Sequence, residues 1–198
     1  MKELIKEALK NCPDLHKPSE VIEINSVSGG CINEAWHIEL DNGHQLFAKT
    51  NDIENFNMLE YEFECLLALR NFATNSFISI PKPLHLQKTD KAAILLLQWL
   101  EITTREQTNL GKGLALMHLA SAKQQTEKFG WENNGFIGST PQVKGWTSSW
   151  GECFVNLRLI PQLKLASKWG FKLHEYEKLL SFLQVFLNKH QPESCLLH

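Results

Sequence analysis

Apolar and polar positions change their period near the middle of this chain. Residues 2–11 carry charged and apolar side chains at helical spacing, and Pro13 stops the helix they predict. Three strand-like runs follow, at Val21–Val27, 32–40 and 45–50. The second ends at Asp41-Asn42-Gly43, a hairpin signal because asparagine and glycine accept left-handed turn positions. Helical spacing returns over 57–71. Pro81 and Pro83 mark a turn, and 84–87 and 92–100 predict two more strands around the polar tip Lys88-Thr89-Asp90.

From about Thr104 the pattern is helical. Leu110, Leu114, Met117 and Ala120 predict one helix face. A loop rich in glycine, asparagine and aromatic residues is expected over 129–142. A helix over 147–169 should be kinked or ended by Pro161. Trp146, Trp150, Phe154 and Arg158 repeat every fourth position and predict one stripe. A last amphipathic helix covers 173–189, with Leu173, Tyr176, Leu180, Leu183 and Leu187 in line. The chain thus divides into a strand-rich half, 1–100, and a helical half, 101–198, an α+β organisation.

Composition narrows the function classes. Hydrophobic residues make up 43% and charged residues 21% of 198 positions, which excludes disorder as the main state. With 20 basic and 22 acidic residues the net charge is −2, so there is no electrostatic case for a nucleic-acid partner. The longest apolar run, 92–97, is far too short for a membrane span, and the N-terminus is not a signal peptide. A cytoplasmic protein without a membrane partner is expected. The five cysteines, Cys12, Cys31, Cys65, Cys153 and Cys195, are odd in number and lack CxxC spacing. Free thiols, and neither a disulfide framework nor a metal site, follow.

Three features suggest chemistry. Ser28-Gly29-Gly30-Cys31-Ile32-Asn33 lies between two strand-like runs. Its glycine pair suits either a plain hairpin turn or a loop whose backbone N–H groups approach phosphate. Lys49 and Phe47 share one face of their strand. The lysine either reaches solvent or meets an anion such as a nucleotide phosphate, with Phe47 against the base. Glu62 shares a helix face with Leu59 and Leu66, where a carboxylate needs a partner unless it sits at the wet edge. A Lys49–Glu62 ion pair satisfies both. The order (strand, glycine turn, strand, strand with lysine, helix with glutamate, two strands, apolar connector, helices) is that of a protein-kinase-like N-lobe followed by the start of a C-lobe.

On these residues the chain resembles the fructosamine kinase (ketosamine-3-kinase) family, near the aminoglycoside and choline phosphotransferases. The matching segments are SGGCINEAW at 28–36, LFAKTN at 46–51, MLEYEFECLLAL at 58–69, LGKGLALMH at 110–118, FGWENNGFIGSTPQ at 129–142, WTSSWGECFVNLRLIPQL at 146–163 and the final CLLH. The resemblance implies an antiparallel-sheet N-lobe with a partial, mainly helical C-lobe. It implies an ATP- and magnesium-dependent kinase that phosphorylates the sugar 3-hydroxyl of free or protein-bound ketosamines. Gly29, Gly30, Cys31 and Ile32 correspond to the phosphate loop, Lys49 to the nucleotide lysine, Glu62 to the helix glutamate, and Gln98, Trp99 and Leu100 to the hinge that offers backbone groups to adenine. Cys31 is then a redox-sensitive position able to link two copies. Trp131, Trp146 and Arg158 are acceptor-side candidates. Ser28 stands where the family often has a third glycine, and Lys144 where it usually has asparagine. The family's catalytic segment begins His-Gly-Asp, which places the expected base beyond His198. The chain is therefore expected to be inactive by itself, as a truncated kinase. The alternatives are a non-catalytic nucleotide- or partner-binding module and an aminoglycoside- or choline-type phosphotransferase.

Overall fold

The computed structural model describes residues 2–15, 19–28, 30, 32–102, 107–123 and 128–197. Its contacts divide the chain into two compact units, Met1–Met117 and His118–His198.

In the first unit, β1 (Val21–Val27), β2 (Glu34–Leu40), β3 (Gln45–Asp52), β4 (Pro83–Lys88) and β5 (Ala92–Gln98) form an antiparallel sheet in the order β1-β2-β3-β5-β4. The expected strands at 32–40 and 92–100 are shorter at their outer ends. The Asn42-Gly43 turn forms as its residues require: Gly43 has φ 78°, and the Asn42 side chain accepts the His44 N–H at 2.9 Å.

Strand periodicity sends alternate side chains to two separate cores. On one face, α1 (Lys2–Asn11) lays Leu4, Ile5, Ala8 and Leu9 against Ile38, Leu40, Leu46, Ala48, Ile94 and Leu96. Thr50 is fully buried on this face. It is satisfied by the Trp36 indole, which donates to Thr50 Oγ1 at 2.9 Å. On the other face, α2 (Phe56–Phe72) brings Phe56, Leu59, Phe63 and Leu66 onto Phe47, Ala93, Leu95 and Leu97. Strand β5 is thus covered on both faces, which is why its sequence is an unbroken apolar run.

Helix α3 (Gln107–Ala122) buries Met117 of the expected stripe and half-buries Leu114 and Ala120, but departs from it at Leu110. Its buried positions are Gly113, Met117 and Ser121, and Leu110 is 51% exposed. Residues as small as Gly113 and Ser121 let neighbours come close, which a count of large apolar side chains overlooks. Ile78 and Phe77 pack onto the Gly113 backbone, and the Leu196 N–H donates to Ser121 Oγ at 2.9 Å.

In the second unit the expected loop over 129–142 is instead two small ribbons. β6 (Phe129–Trp131) pairs with β9 (Gly145–Thr147), and β7 (Gly135–Ile137) with β8 (Thr140–Gln142). Strands of three residues hold too few positions for alternation to show. Trp146 consequently lies on a strand and leaves the stripe expected of it. The helix begins at α4 (Trp150–Glu152), where Ser149 caps the N-terminus by accepting the Glu152 N–H at 3.3 Å.

The helix continues through a π-helical stretch, Cys153–Leu159, into α5 (Ile160–Ala166). Pro161 explains the wide turn, since it has no N–H to return to the preceding carbonyls. The Leu157 carbonyl, four residues back, receives Arg158 Nη1 at 3.0 Å instead. The expected last helix, 173–189, comprises a 3-10 turn, Leu173–Tyr176, and α6 (Glu177–Asn188). Of the expected stripe Leu180 is buried and Leu183 and Leu187 are half-buried, whereas Tyr176 is exposed; Phe182 and Phe186, outside the stripe, are exposed too. The Leu173 side chain lies outside the described residues. α4 crosses α6 at Gly151, whose N–H donates to Asn188 Oδ1 at 2.9 Å. Among the described residues, no helix is long and apolar enough to cross a membrane.

Candidate functional site

Lys49 sits on the α2 face of β3, as its parity with Phe47 requires. Across the face, Glu62 projects from α2, and Lys49 Nζ donates to Glu62 Oε1 at 2.5 Å. Each side chain keeps 28% of its exposure. Removal of either partner leaves a half-desolvated charge behind, so the pair holds itself together and holds the ammonium in one place.

A cleft of about 310 Å³ opens beside this pair. Val27, Ala35 and Phe47 give it an apolar wall, and Ser28, Gly30, Asn33 and Lys49 a polar end. The polar end is the turn between β1 and β2. A Cβ on Gly30 would stand 2.9 Å from the Asn33 carbonyl oxygen, closer than real Cβ atoms come, so only glycine fits this backbone. Ile32 is 43% exposed at the turn. Gly29 and Cys31 lie outside the described residues, and so does any redox pairing of Cys31.

At the far end of β5, the Gln98 N–H is donated to the Lys82 carbonyl at 2.8 Å. That donor is engaged within the sheet edge. Trp99 folds its indole over His37, with ring centroids 4.1 Å apart, and lies 6.2 Å from Phe47. Its Nε1 donates to Glu101 Oε1 at 2.9 Å. His37 and Phe47 are register partners on β2 and β3, so all three rings gather on the cleft face of the sheet. Leu100 follows directly.

Sequence reading passed over Asn51. It stands two residues beyond Lys49, on the same face, and its amide joins the glycine turn to the start of α2. The period-2 parity that paired Phe47 with Lys49 extends to it without further assumption. His37 follows from the same parity on β2, two positions past Ala35.

In the second unit, Trp131 and Trp146 stand with ring centroids 6.4 Å apart, and Trp146 is 43% exposed. The Trp131 Nε1 is buried and has no hydrogen-bond partner. Arg158 donates to the Val143 carbonyl at 2.9 Å and to Leu157, so its guanidinium joins the ribbon to the π-helical turn. Cys12, Cys65, Cys153 and Cys195 are free thiols, and burial pushes each one above the ordinary thiol range. Among the described residues, no three His, Cys, Asp or Glu side chains gather as a metal site.

Comparison with known proteins adds four matches. A family model described as fructosamine kinase matches residues 1–198. A Synechocystis protein named probable ketoamine kinase is 31% identical over 185 residues, covering 92% of this chain and 60% of that relative. The chloroplastic protein-ribulosamine 3-kinase of Arabidopsis thaliana is 33% identical over 188 residues, 92% of this chain and 56% of that relative. The chain therefore spans about 60% of the length of the curated relatives it matches. The fold agrees with the crystal structure of a Haemophilus somnus 129PT protein assigned as a fructosamine-3-kinase. Its TM-score is 0.80 at 21% identity, over 96% of this chain and 63% of that one.

Proposed function

Because this chain belongs to the fructosamine kinase family, we propose that it binds ATP in the cleft between the glycine turn and Lys49, in the service of phosphoryl transfer to a sugar hydroxyl of ketosamines. The observation that carries this reading is the Lys49–Glu62 pair at the polar end of the cleft. Phosphoryl transfer asks a protein for positioning and charge compensation more than for covalent chemistry. Lys49, fixed by Glu62, supplies a positive charge for the phosphate oxygens. Backbone around Gly30 comes close to the phosphates because no side chain intervenes, and Gly29, Cys31 and Ile32 complete that loop. Ala35 and Phe47 cover the base, and the backbone of Trp99 and Leu100 reads its edge beside Gln98, whose N–H is engaged elsewhere.

The acceptor is a glycated amine, free or carried on a protein, in keeping with the ketoamine and ribulosamine kinases among the relatives. Its 3-hydroxyl takes the γ-phosphoryl group. The exposed face of Trp146, backed by Trp131, is the kind of apolar plate on which a sugar ring packs. Arg158 acts there by holding the ribbon through the Val143 carbonyl. Magnesium is expected to accompany ATP. The described residues hold no cluster to ligate it, so no step is assigned through it.

The test is phosphorus NMR of the full gene product with ATP and a synthetic fructosamine. A new phosphomonoester resonance together with ADP is expected. ATP binding without any monoester would reduce the protein to a nucleotide-binding module, and no ATP binding would remove the reading altogether.

A further inference from the structure

The side-chain amide of Asn51 makes four hydrogen bonds, and two of them fix its orientation without ambiguity. Its Nδ2 lies 3.2 Å from the Ile32 carbonyl oxygen, which can only accept. Its Oδ1 lies 2.8 Å from the Asp52 backbone N–H, which can only donate. The amide cannot be turned over without losing both. Its remaining bonds then orient two neighbouring amides. Asn33 must present Oδ1 to Asn51 Nδ2, at 2.6 Å, and Asn55 must present Nδ2 to Asn51 Oδ1, at 2.9 Å. Asn33 belongs to the glycine turn and lines the cleft, whereas Asn55 directly precedes α2, the helix that carries Glu62.

We infer that Asn51 is a positioning residue that clamps the base of the glycine turn to β3 and to the start of α2, and that it commits the amide oxygen of Asn33 so that the Asn33 NH₂ group is left to donate to a nucleotide phosphate. This inference rests on the nucleotide reading above and adds two residues to it. Lys49 and Asn51 lie two apart on one strand face, so a single rigid strand holds the phosphate cation and the clamp in register. The clamp fixes the leg of the turn at Ile32 and Asn33. Phosphate contacts made by the turn depend on that leg; contacts to the base do not.

That difference supplies the test. Asn51→Asp keeps the two acceptor bonds, to Asp52 N–H and Asn55, and loses both donors to the turn. Binding of ATP, ADP and adenosine is measured by calorimetry for the wild-type protein, Asn51→Asp and Asn33→Ala. Loss of the charge-assisted hydrogen bond from the Asn33 amide should weaken ATP and ADP about tenfold or more in each variant and leave adenosine within about twofold. Asn33→Ala removes a partly exposed side chain, so it supplies the answer if Asn51→Asp does not fold. Equal losses for ATP and adenosine would indicate a merely structural role and overturn the inference, as would wild-type ATP affinity in both variants. A wild-type protein that binds adenosine and ATP equally would instead overturn the nucleotide-phosphate reading on which the inference stands.

Discussion

Lys49 Nζ and Glu62 Oε1 lie 2.5 Å apart, although one residue comes from a strand and the other from a helix thirteen positions later. Each explains the placement of the other. Glu62 shares a helix face with the buried Leu59, where a carboxylate needs a cation, and Lys49 shares a strand face with Phe47. Glu62→Gln keeps the shape and an acceptor for Lys49 but removes the charge. It should lower ATP affinity several-fold and the unfolding free energy by about 1–2 kcal/mol. Calorimetry and urea titration read the two effects separately. Full retention of both would mean that the pair is an idle surface contact.

Gly30→Ala tests whether the turn is built for close approach. The added methyl group would meet the Asn33 carbonyl oxygen, so the turn must shift. ATP binding should weaken by about tenfold, while the thermal midpoint changes little because the turn is exposed. An unchanged affinity would show that the turn does not touch the nucleotide.

Gly151→Ala addresses the second unit. A Cβ there would collide with the Gln184 carbonyl oxygen and Asn188 Oδ1 across the α4–α6 crossing. Backbone atoms cannot move aside cheaply, so a loss of about 2–3 kcal/mol is expected. It should appear as a fall in thermal midpoint, with the ATP affinity of the folded protein preserved. A midpoint equal to wild type would contradict the close crossing.

Burial raises the pKa of all four described thiols above the ordinary value of 9.0. The folded chain therefore holds these protons to higher pH than the unfolded chain does. Stability that is intact below pH 9 should fall as pH rises past it. Urea midpoints at pH 8 and pH 10 check the sign. In a Cys31→Ala background, Cys12 and Cys153, the two buried thiols, should react with Ellman's reagent at pH 8 far more slowly than in urea. Prompt labelling of both in the native protein would place them at the surface.

Much of the first unit is legible in the sequence because its strands are long enough to alternate and its turns carry Asn42-Gly43 and prolines. The ends of α1 and β1 fall where the periodicity puts them. Lys49 and Glu62 can be read because each is a lone charge on its face, Lys49 beside Phe47 and Glu62 between Leu59 and Leu66. Asn51 escapes notice because an amide carries no charge that demands a partner, and its bonds reach two segments outside its own strand, the glycine turn and the start of α2. In the second unit the three-residue strands are too short to alternate, and Trp146 mimics a helical repeat from a strand. The face of α3 is read correctly at Met117 and missed at Gly113 and Ser121, because a residue without a side chain and a small polar one give no apolar signal. Arg158 is legible as an important residue, but its partners are backbone carbonyls, which no side-chain pattern reveals.

The most direct measurement is calorimetric titration of ATP into the wild-type protein and Lys49→Met. Methionine preserves the length and apolar stem of lysine and removes the cation. Saturable binding to the wild-type protein, weakened at least tenfold in a variant that remains folded by circular dichroism, is the expected result. Equal ATP affinity in the two proteins would contradict the account, because the nucleotide would then sit somewhere other than against Lys49.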